Sequence, residues 1–345
     1  YQHCDHEYSL CDRLGLCVWT EIGIINKMSA DDSDAHVLSD GFGDNAKQQL
    51  RELIRQNYNH PSVIVWGLSN ELHQMTDEIF GLYSELYEIA CKEDDTRLKT
   101  FADNQFYGRF LELPADVVGY NRYFGWYKDA GSAENFGEWL DLYHNEKEKR
   151  PVCLSEYGGG GAISQHKDNV NWESDIDPVG VRHYENYQSQ LHKILWKQFS
   201  VRKYLWAEFI WCMFDFASYG RTEGDTKSQN DKGLCTRERI PKDVYFFYMS
   251  VWSSEKTVYI TERRHEFRAC DVPFVKVYSN ADAVELCIND VSHGRISRCE
   301  LPDDESTVFV WENIKIKPGT KNKICAKAYF SDGTSRTDYA FWTGK

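Results

Sequence analysis

The sequence predicts a parallel α/β domain, either a barrel or a doubly wound sheet, followed by a small antiparallel β-sandwich. Through the first two-thirds of the chain, short apolar runs alternate with segments in which apolar residues recur at helical spacing. After about residue 253 the pattern changes to short segments of period-two character separated by turn dipeptides. A length of 345 residues allows two domains, and we place them at 1–262 and 263–345.

Six apolar runs are the predicted strands of the first domain. Residues 63–68 are continuously apolar, as expected for a parallel strand that is covered on both faces. The other five runs are residues 16–19, 98–102, 117–120, 152–154 and 205–211. Helical spacing of apolar residues predicts helices near residues 44–58, 79–90 and 184–199. Six strands are two fewer than a closed eight-stranded barrel requires.

The second domain is predicted from four short segments of period-two character, in which apolar and polar residues tend to alternate. They lie at residues 274–279, 284–288, 307–311 and 324–329. Turn-forming dipeptides separate them, including Asn289-Asp290 and Pro318-Gly319. Short strands punctuated in this way are typical of a small antiparallel sandwich.

The formal net charge of −14 disfavours nucleic acids and anionic membrane surfaces as partners, because both would repel the chain. No segment approaches the ~20 apolar residues of a membrane span. A small-molecule or oligosaccharide substrate is compatible with this charge, and the aromatic content of 14% supplies rings on which a sugar can stack. Assembly into a homo-oligomer stays open.

The eleven cysteines are scattered, odd in number and without a CxxC pair, which is typical of free thiols in a reducing compartment. We therefore expect no zinc and favour a cytoplasmic location. A periplasmic or secreted location stays open because the chain begins at Tyr1 without Met. A disulfide also stays open among the last four cysteines, which are Cys270, Cys287, Cys299 and Cys325.

Polar or ionisable residues follow the predicted strands at their C-terminal ends, where barrel enzymes place their chemistry. These residues are Glu21, Glu71, Asp103, Asn121, Glu156 and Asp215. Glu71 and Glu156 supply the two carboxyl groups that glycoside hydrolysis needs, one protonated and one ionised, on either side of an anomeric carbon. The alternative is that each is a solvated strand-end residue or a member of an ion pair.

Longer strings around these two residues resemble glycoside hydrolase family 2, the β-galactosidases and β-glucuronidases. Asn59-His-Pro-Ser-Val-Ile-Val-Trp-Gly-Leu-Ser-Asn-Glu71 resembles the family's acid/base signature, and Leu154-Ser-Glu-Tyr-Gly158 resembles its nucleophile strand. Residues 116–127, 211–216, 230–234 and 277–286 resemble further blocks of the family, in the family's order. The resemblance implies a (β/α)8 TIM-type barrel, N-terminally incomplete here with about six strands, and an immunoglobulin-like β-sandwich.

The resemblance also implies a retaining β-glycosidase with Glu71 as general acid/base and Glu156 as nucleophile. Asn70 would hydrogen-bond the sugar 2-hydroxyl, Tyr123 would donate to the nucleophile, and Trp211 would stack on the sugar or simply pack in the core. The full set of substrate-binding residues expected on this basis is Asn70, Asn121, Tyr123, Trp211, Asp215, Asn230 and Lys232.

The chain departs from the family pattern in three places. The family normally has two upstream domains and two further barrel strands before the position of Tyr1. Cys212 stands where Asn is commoner. Residues 21–27 lack the His and Glu with which well-known β-galactosidases bind Mg²⁺, so we expect no metal there and no cofactor.

The substrate is the open question. In β-glucuronidases an Asn-x-Lys at the place of Asn230 and Lys232 grips the sugar carboxylate, but Asn-Asp-Lys-Gly-Leu also resembles many β-galactosidase-like members. Lys232 could equally pair with Asp225 or Asp231. We favour a β-galactosidase, with a β-glucuronidase as the alternative. An alternative of another class is a non-catalytic fragment or carbohydrate-binding remnant, which a native start at Tyr1 would favour.

Overall fold

The computed structural model describes residues 1–25, 40–72, 75–105 and 107–345. Six parallel strands form one sheet in the order β1-β2-β3-β4-β5-β6, so that each strand lies beside its neighbour in sequence. The strands are β1 (Val18–Glu21), β2 (Val63–Asn70), β3 (Leu98–Asp103), β4 (Val118–Asn121), β5 (Val152–Tyr157) and β6 (Leu205–Ile210). A doubly wound sheet reverses its strand order at a switch point, and this sheet does not. The predicted barrel-type fold is confirmed.

The apolar spacing predicts three of the seven helices in the described residues, near residues 44–58, 79–90 and 184–199. The seven helices accompany the barrel strands. They are α1 (Asp5–Leu14), α2 (Phe42–Asn57), α3 (Asp77–Glu93), α4 (Phe136–Glu146), α5 (Trp172–Asp175), α6 (Glu185–Phe199) and α7 (Asp243–Trp252). In α2 the residues Leu50, Leu53 and Ile54 are fully buried, which explains their helical spacing. The helix α3 begins where the Thr76 hydroxyl accepts a hydrogen bond from the Ile79 amide at 3.2 Å.

Short strands follow from residue 216 onward. They are β7 (Phe216–Ala217), β8 (Gln229–Asn230), β9 (Val258–Ile260), β10 (Phe267–Arg268), β11 (Asp271–Ser279), β12 (Ala283–Ile288), β13 (Val291–Ser297), β14 (Val308–Lys315), β15 (Lys321–Tyr329) and β16 (Ser335–Gly344). Sequence patterning predicts β11, β12, β14 and β15 but not β9, β10, β13 or β16. The exposed side chains of β13 and the early part of β16 explain why no apolar alternation marks them.

The sandwich consists of a five-stranded sheet, β10-β16-β15-β12-β13, and a three-stranded sheet, β14-β11-β9. Their inner faces share one apolar core that includes Val277, Phe309, Ile324 and Trp342. This confirms the predicted β-sandwich. The strand β9 lies before residue 262 yet pairs with β11, and the division into domains at that residue remains a prediction.

By internal contacts the chain separates into two compact units. The first unit comprises Tyr1–Arg122, Gly137–Tyr157 and Arg202–Phe209. The second unit comprises Tyr123–Phe136, Gly158–Val201 and Ile210–Lys345. None of the helices in the described ranges is both long enough and apolar enough to cross a membrane.

Candidate active site

Glu71 lies immediately after β2, at the C-terminal edge of the parallel sheet. Its backbone has a φ of +49°, in the left-handed region that a residue with a Cβ seldom adopts. The Glu71 amide donates to the carbonyl of Ala102 in β3 at 2.9 Å, which holds this turn against the neighbouring strand. Strained backbone of this kind is concentrated at functional sites, and here it aims a carboxyl group at the sheet edge.

Asn121 connects the two predicted catalytic strands. Its Nδ2 donates both to Glu71 Oε1 and to Asn70 Oδ1, each at 2.9 Å. Its Oδ1 accepts from the Ser155 hydroxyl at 2.7 Å, which fixes the orientation of the amide. Asn121 is also the Cα partner of Glu156 in the ladder between β4 and β5. The first unit therefore brings Asn70 and Glu71 into contact with Asn121, which pairs with Glu156 in the ladder, and the roles of these residues remain predictions.

The position of Glu156 is fixed by its backbone. Its carbonyl accepts from the Arg122 amide at 2.9 Å, one residue beyond Asn121. Adjacent strands lie ~4.8 Å apart, so the backbone of Glu156 lies one strand spacing from the backbone of Asn121. The side chain of Asn121 in turn contacts Glu71. This arrangement is compatible with two carboxyl groups that act on one glycosidic bond.

A third glutamate, Glu21 at the end of β1, belongs to the same edge and was not assigned a role from the sequence. The Trp19 Nε1 donates to Glu21 Oε2 at 3.2 Å. Burial raises the pKa of Glu21 to about 8, and the negative charge of Glu156 adds to this in the same direction. With a pKa of about 8, this carboxyl group is protonated at neutral pH.

Space for the pair of Trp19 and Glu21 depends on two glycines. A Cβ at Gly67 in β2 would lie 2.4 Å from Trp19 Nε1 and 2.7 Å from the Glu21 side chain. A Cβ at Gly119 in β4 would lie 2.7 Å from the Trp19 ring. The Trp19 ring also stacks on Trp206 of β6, with centroids 6.1 Å apart. Trp19 is thus packed between the strands, and it holds the carboxyl group of Glu21 in place.

Other carboxyl groups of the first unit are perturbed by burial. Burial raises the pKa of Asp103 to about 7, with a small contribution from Glu71, while the backbone amide of Gln105 donates to it at 2.8 Å. Burial also raises the pKa of Glu208 in β6. Clusters of perturbed carboxyl groups are typical of active sites, although structural networks perturb pKa values too.

The remaining predicted residues lie in the second unit, where Lys232 is the central feature. Its side chain is 3% exposed, and its Nζ lies 5.4 to 5.9 Å from the ring centroids of Tyr127, Tyr123 and Trp126. The Lys232 amide donates to Asn230 Oδ1 at 3.0 Å, which links the two residues of the predicted Asn-x-Lys pair.

The two acids considered as partners of Lys232 are engaged elsewhere. Asp231 Oδ2 lies 2.7 Å from His183 Nδ1. Asp225 accepts hydrogen bonds from Ser164 and Thr226. Among the residues that the structure describes, no carboxylate lies within ion-pairing distance of Lys232 Nζ. A buried ammonium group surrounded by aromatic faces is stabilised by cation–π attraction.

Asp215 is held in a buried ion pair that the sequence did not reveal. Lys242 Nζ lies 2.8 Å from Asp215 Oδ1, and both side chains are almost completely buried. The Gly233 amide donates to the same oxygen at 2.9 Å. These contacts position the loop that carries Lys232. A role of Asp215 in substrate binding remains a prediction.

Trp211 directly follows β6, and 36% of its surface is exposed. Its ring meets Phe216 edge to face at 5.8 Å. An accessible ring is compatible with sugar stacking, which remains a prediction. Cys212, where the family more often has Asn, places its Sγ 3.1 Å from the carbonyl of Phe214.

The described residues contain one group suited in principle to a metal ion, formed by Asp168, Glu262 and His265. However, Arg268 Nη2 lies 2.9 Å from Glu262 Oε2 and pairs with Asp168 as well. A guanidinium group therefore already neutralises these acids, which makes the group an ion-pair network. The absence of Mg²⁺ binding at residues 21–27 remains a prediction, and Asn26 and Lys27 lie outside the described residues.

Comparisons with known proteins place these residues in context. The family model described as "Glycosyl hydrolases family 2, TIM barrel domain" matches residues 1–256, and a "Domain of unknown function (DUF4982)" matches residues 272–336. A β-glucuronidase of Bacteroides fragilis is 36% identical over 321 residues, which are 92% of this chain and 44% of that protein.

Two of the solved structures that cover the whole chain show the similarity. The putative β-galactosidase of Bacteroides fragilis is 31% identical with a TM-score of 0.87, and 49% of that chain is matched. The FMN-binding β-glucuronidase of Facaelibacterium prausnitzii L2-6 is 32% identical with a TM-score of 0.85, and 50% of that chain is matched. The chain thus spans about half the length of the relatives it resembles. Since the family model covers residues 1–256, the chain belongs to glycoside hydrolase family 2 and carries its TIM-barrel domain.

Proposed function

We propose that the protein containing this chain is a retaining β-glycosidase that acts on β-glucuronides. The observation that carries the proposal is the linkage of Glu71 to the ladder partner of Glu156 through the amide of Asn121. Membership of the family and the names of several relatives support the same conclusion.

In this mechanism Glu71 donates a proton to the leaving glycosidic oxygen while the Glu156 carboxylate attacks the anomeric carbon. A glycosyl ester on Glu156 results. Glu71, now ionised, removes a proton from water, which hydrolyses the ester and restores both groups. Asn70, held by Asn121, donates to the sugar 2-hydroxyl, a contact that strengthens as positive charge develops at the anomeric centre.

Specificity for a uronic acid is supported by Lys232. Burying an ammonium group without an anion is costly, and a sugar carboxylate would supply the missing charge. Asn230, which accepts from the Lys232 amide, would place a second polar group beside that carboxylate. The aromatic rings around Lys232 would exclude water and strengthen the ion pair.

This proposal changes the preference drawn from the sequence. The sequence favoured a β-galactosidase, but the relatives compared by sequence are named β-glucuronidases. A galactoside remains the second candidate because a structure with 31% identity is named a putative β-galactosidase.

The test uses the full-length protein with nitrophenyl β-glucuronide, β-galactoside, β-glucoside and β-mannoside. We expect the glucuronide to be hydrolysed with the highest kcat/KM. The replacement Lys232→Met should lower kcat/KM for the glucuronide by about 100-fold, since a charge-assisted contact of up to ~3 kcal/mol is lost. The matched control Lys227→Met removes an exposed lysine that precedes β8 and should change little.

Two results would overturn the proposal. Hydrolysis of galactosides without glucuronides would establish the second candidate. A folded full-length protein that hydrolyses none of the four substrates would favour the non-catalytic alternative.

A further inference from the structure

Cys287 and Cys325 lie directly opposite each other in the five-stranded sheet of the sandwich. They are Cα partners in the antiparallel ladder between β12 and β15. Both are free and partly exposed. Among the strand pairs of the described residues, no other ladder position places two cysteines opposite each other.

The two side chains share the outer face of this sheet. Their neighbours Leu286, Ile288 and Ile324 point into the apolar core, and side chains alternate between faces along a strand. Both thiols are therefore available to small molecules that approach this face of the sheet.

The general geometry of antiparallel strands allows a disulfide at this pair that is readily reduced. Directly opposed Cβ atoms lie ~4.5–5.5 Å apart, and they lie at the longer end when the pair is hydrogen-bonded. The Asn289 amide donates to the carbonyl of Lys323 at 2.9 Å, two positions along the ladder, so the cysteines also form a hydrogen-bonded pair. A disulfide needs Cβ atoms ~3.5–4.5 Å apart, so closure draws the strands together by about 1 Å and leaves a bond that is readily reduced.

The charges around the pair restrain its reactivity. Burial raises the pKa of both thiols; Glu285 and Asp290 act in the same direction on Cys287, while Lys323 lowers the pKa of each. Hydrogen bonds with Ser292 and Tyr339 also favour the thiolates of Cys287 and Cys325, respectively. Thiols of this kind react slowly, and closure depends on an added disulfide.

We propose that Cys287 and Cys325 form a dithiol site that closes to a cross-strand disulfide by exchange with a low-molecular-weight disulfide such as oxidised glutathione. One thiolate attacks oxidised glutathione, forms a mixed disulfide and releases one glutathione thiolate. The second thiolate attacks the protein sulfur of that mixed disulfide and releases the second. The two protein thiols are oxidised, and their two protons pass to the two glutathione molecules formed.

The bond would join two central strands and enclose β13 and β14 in a covalent loop. Such a loop reduces the freedom of the unfolded chain, so the sandwich would open less readily. The site is independent of the glycosidase proposed above.

The test is peptide mapping of the full-length protein after incubation with oxidised glutathione and alkylation of the remaining thiols. Trypsin separates Cys287, in residues 277–295, from Cys325, in residues 324–327. We expect one linked peptide that lacks two hydrogens and that separates after reduction. Cys287→Ser and Cys325→Ser should each abolish it, whereas Cys299→Ser, at an exposed cysteine, should leave it unchanged.

Two outcomes of the wild-type protein alone would overturn the proposal. In the first, Cys287 and Cys325 are both alkylated or both carry glutathione, with no link between them. In the second, either cysteine is linked to a different one. Neither result depends on the folding of a variant.

Discussion

Glu156 is the residue whose role decides the chemistry of the site. It lies near the C-terminal end of β5, opposite Asn121 in β4, and the side-chain amide of Asn121 contacts Glu71. If it is the nucleophile, a 2-deoxy-2-fluoro glucuronide should trap it, because the fluorine slows hydrolysis of the ester. Mass spectrometry of the full-length protein should show one added fluorosugar on Glu156. Reversible inhibition without a mass change, or a label on another residue, would remove Glu156 from this role.

Asn121 is expected to act on the reaction by orienting its neighbours. Asn121→Ala removes the donor to Glu71 and to Asn70 together. With each such contact worth ~1.5–3 kcal/mol when a charged group takes part, kcat/KM should fall about 10- to 100-fold. Ser155→Ala, which removes only the partner of Asn121 Oδ1, should give a smaller loss. Equal activity of both variants and the unaltered protein would exclude an orienting role.

Glu21 gives a prediction about pH. Burial raises its pKa in the folded protein to about 8 from an ordinary value of 4.5. The unfolded chain therefore releases this proton first as the pH rises. The contribution to the free energy of unfolding is complete below pH 4.5, declines between pH 4.5 and 8, and changes no further above that range.

The variant Glu21→Gln lacks this titration. The free energy of unfolding should be measured with denaturant at pH 5, 6.5 and 8 for both proteins. As the pH rises, it should fall more steeply for the unaltered protein than for the variant. Parallel pH dependences of the two proteins would show that the folded state does not perturb this carboxyl group.

At the scale of elements, Gly67 in β2 leaves the space that the bulky side chain of Trp19 in β1 occupies. A Cβ at Gly67 would meet Trp19 Nε1 at 2.4 Å. We expect Gly67→Ala to lower the free energy of unfolding by ~1–3 kcal/mol through overpacking. Gly81→Ala is the matched control, since Gly81 lies exposed in α3 with open space around it and should gain ~0.5–1 kcal/mol. A loss of stability at both positions would contradict the packing argument.

The elements also show where sequence patterns succeed. The strands β2 and β3 are buried along almost their whole length, so their composition alone reveals them. The edge strand β13 has mostly exposed side chains, and only its pairing with β12 makes it a strand. The pattern of apolar residues in a segment indicates whether a strand is buried. The pairing of an exposed strand depends on residues elsewhere in the chain.

For the whole molecule, the resemblance to glycoside hydrolase family 2 is confirmed by the match over residues 1–256. The chain spans about half the length of its relatives, so the activity and the substrate remain proposals. The names of the relatives favour a glucuronide over the galactoside that the sequence predicts. Loop motifs such as Asn230-Asp231-Lys232 are shared by enzymes of different specificity, and the motif alone does not distinguish them.

The sequence by itself determined the class of the fold, the presence of six strands in the first domain and the candidates Glu71 and Glu156, because strand burial and strand-end motifs are local features. Only the tertiary structure decided which side chains meet. It showed the amide of Asn121 between Asn70 and Glu71, the pairing of Asp215 with Lys242, and Lys232 among aromatic rings. These contacts join residues far apart in the chain, and their distances follow from strand register and packing, which no local pattern of residues contains.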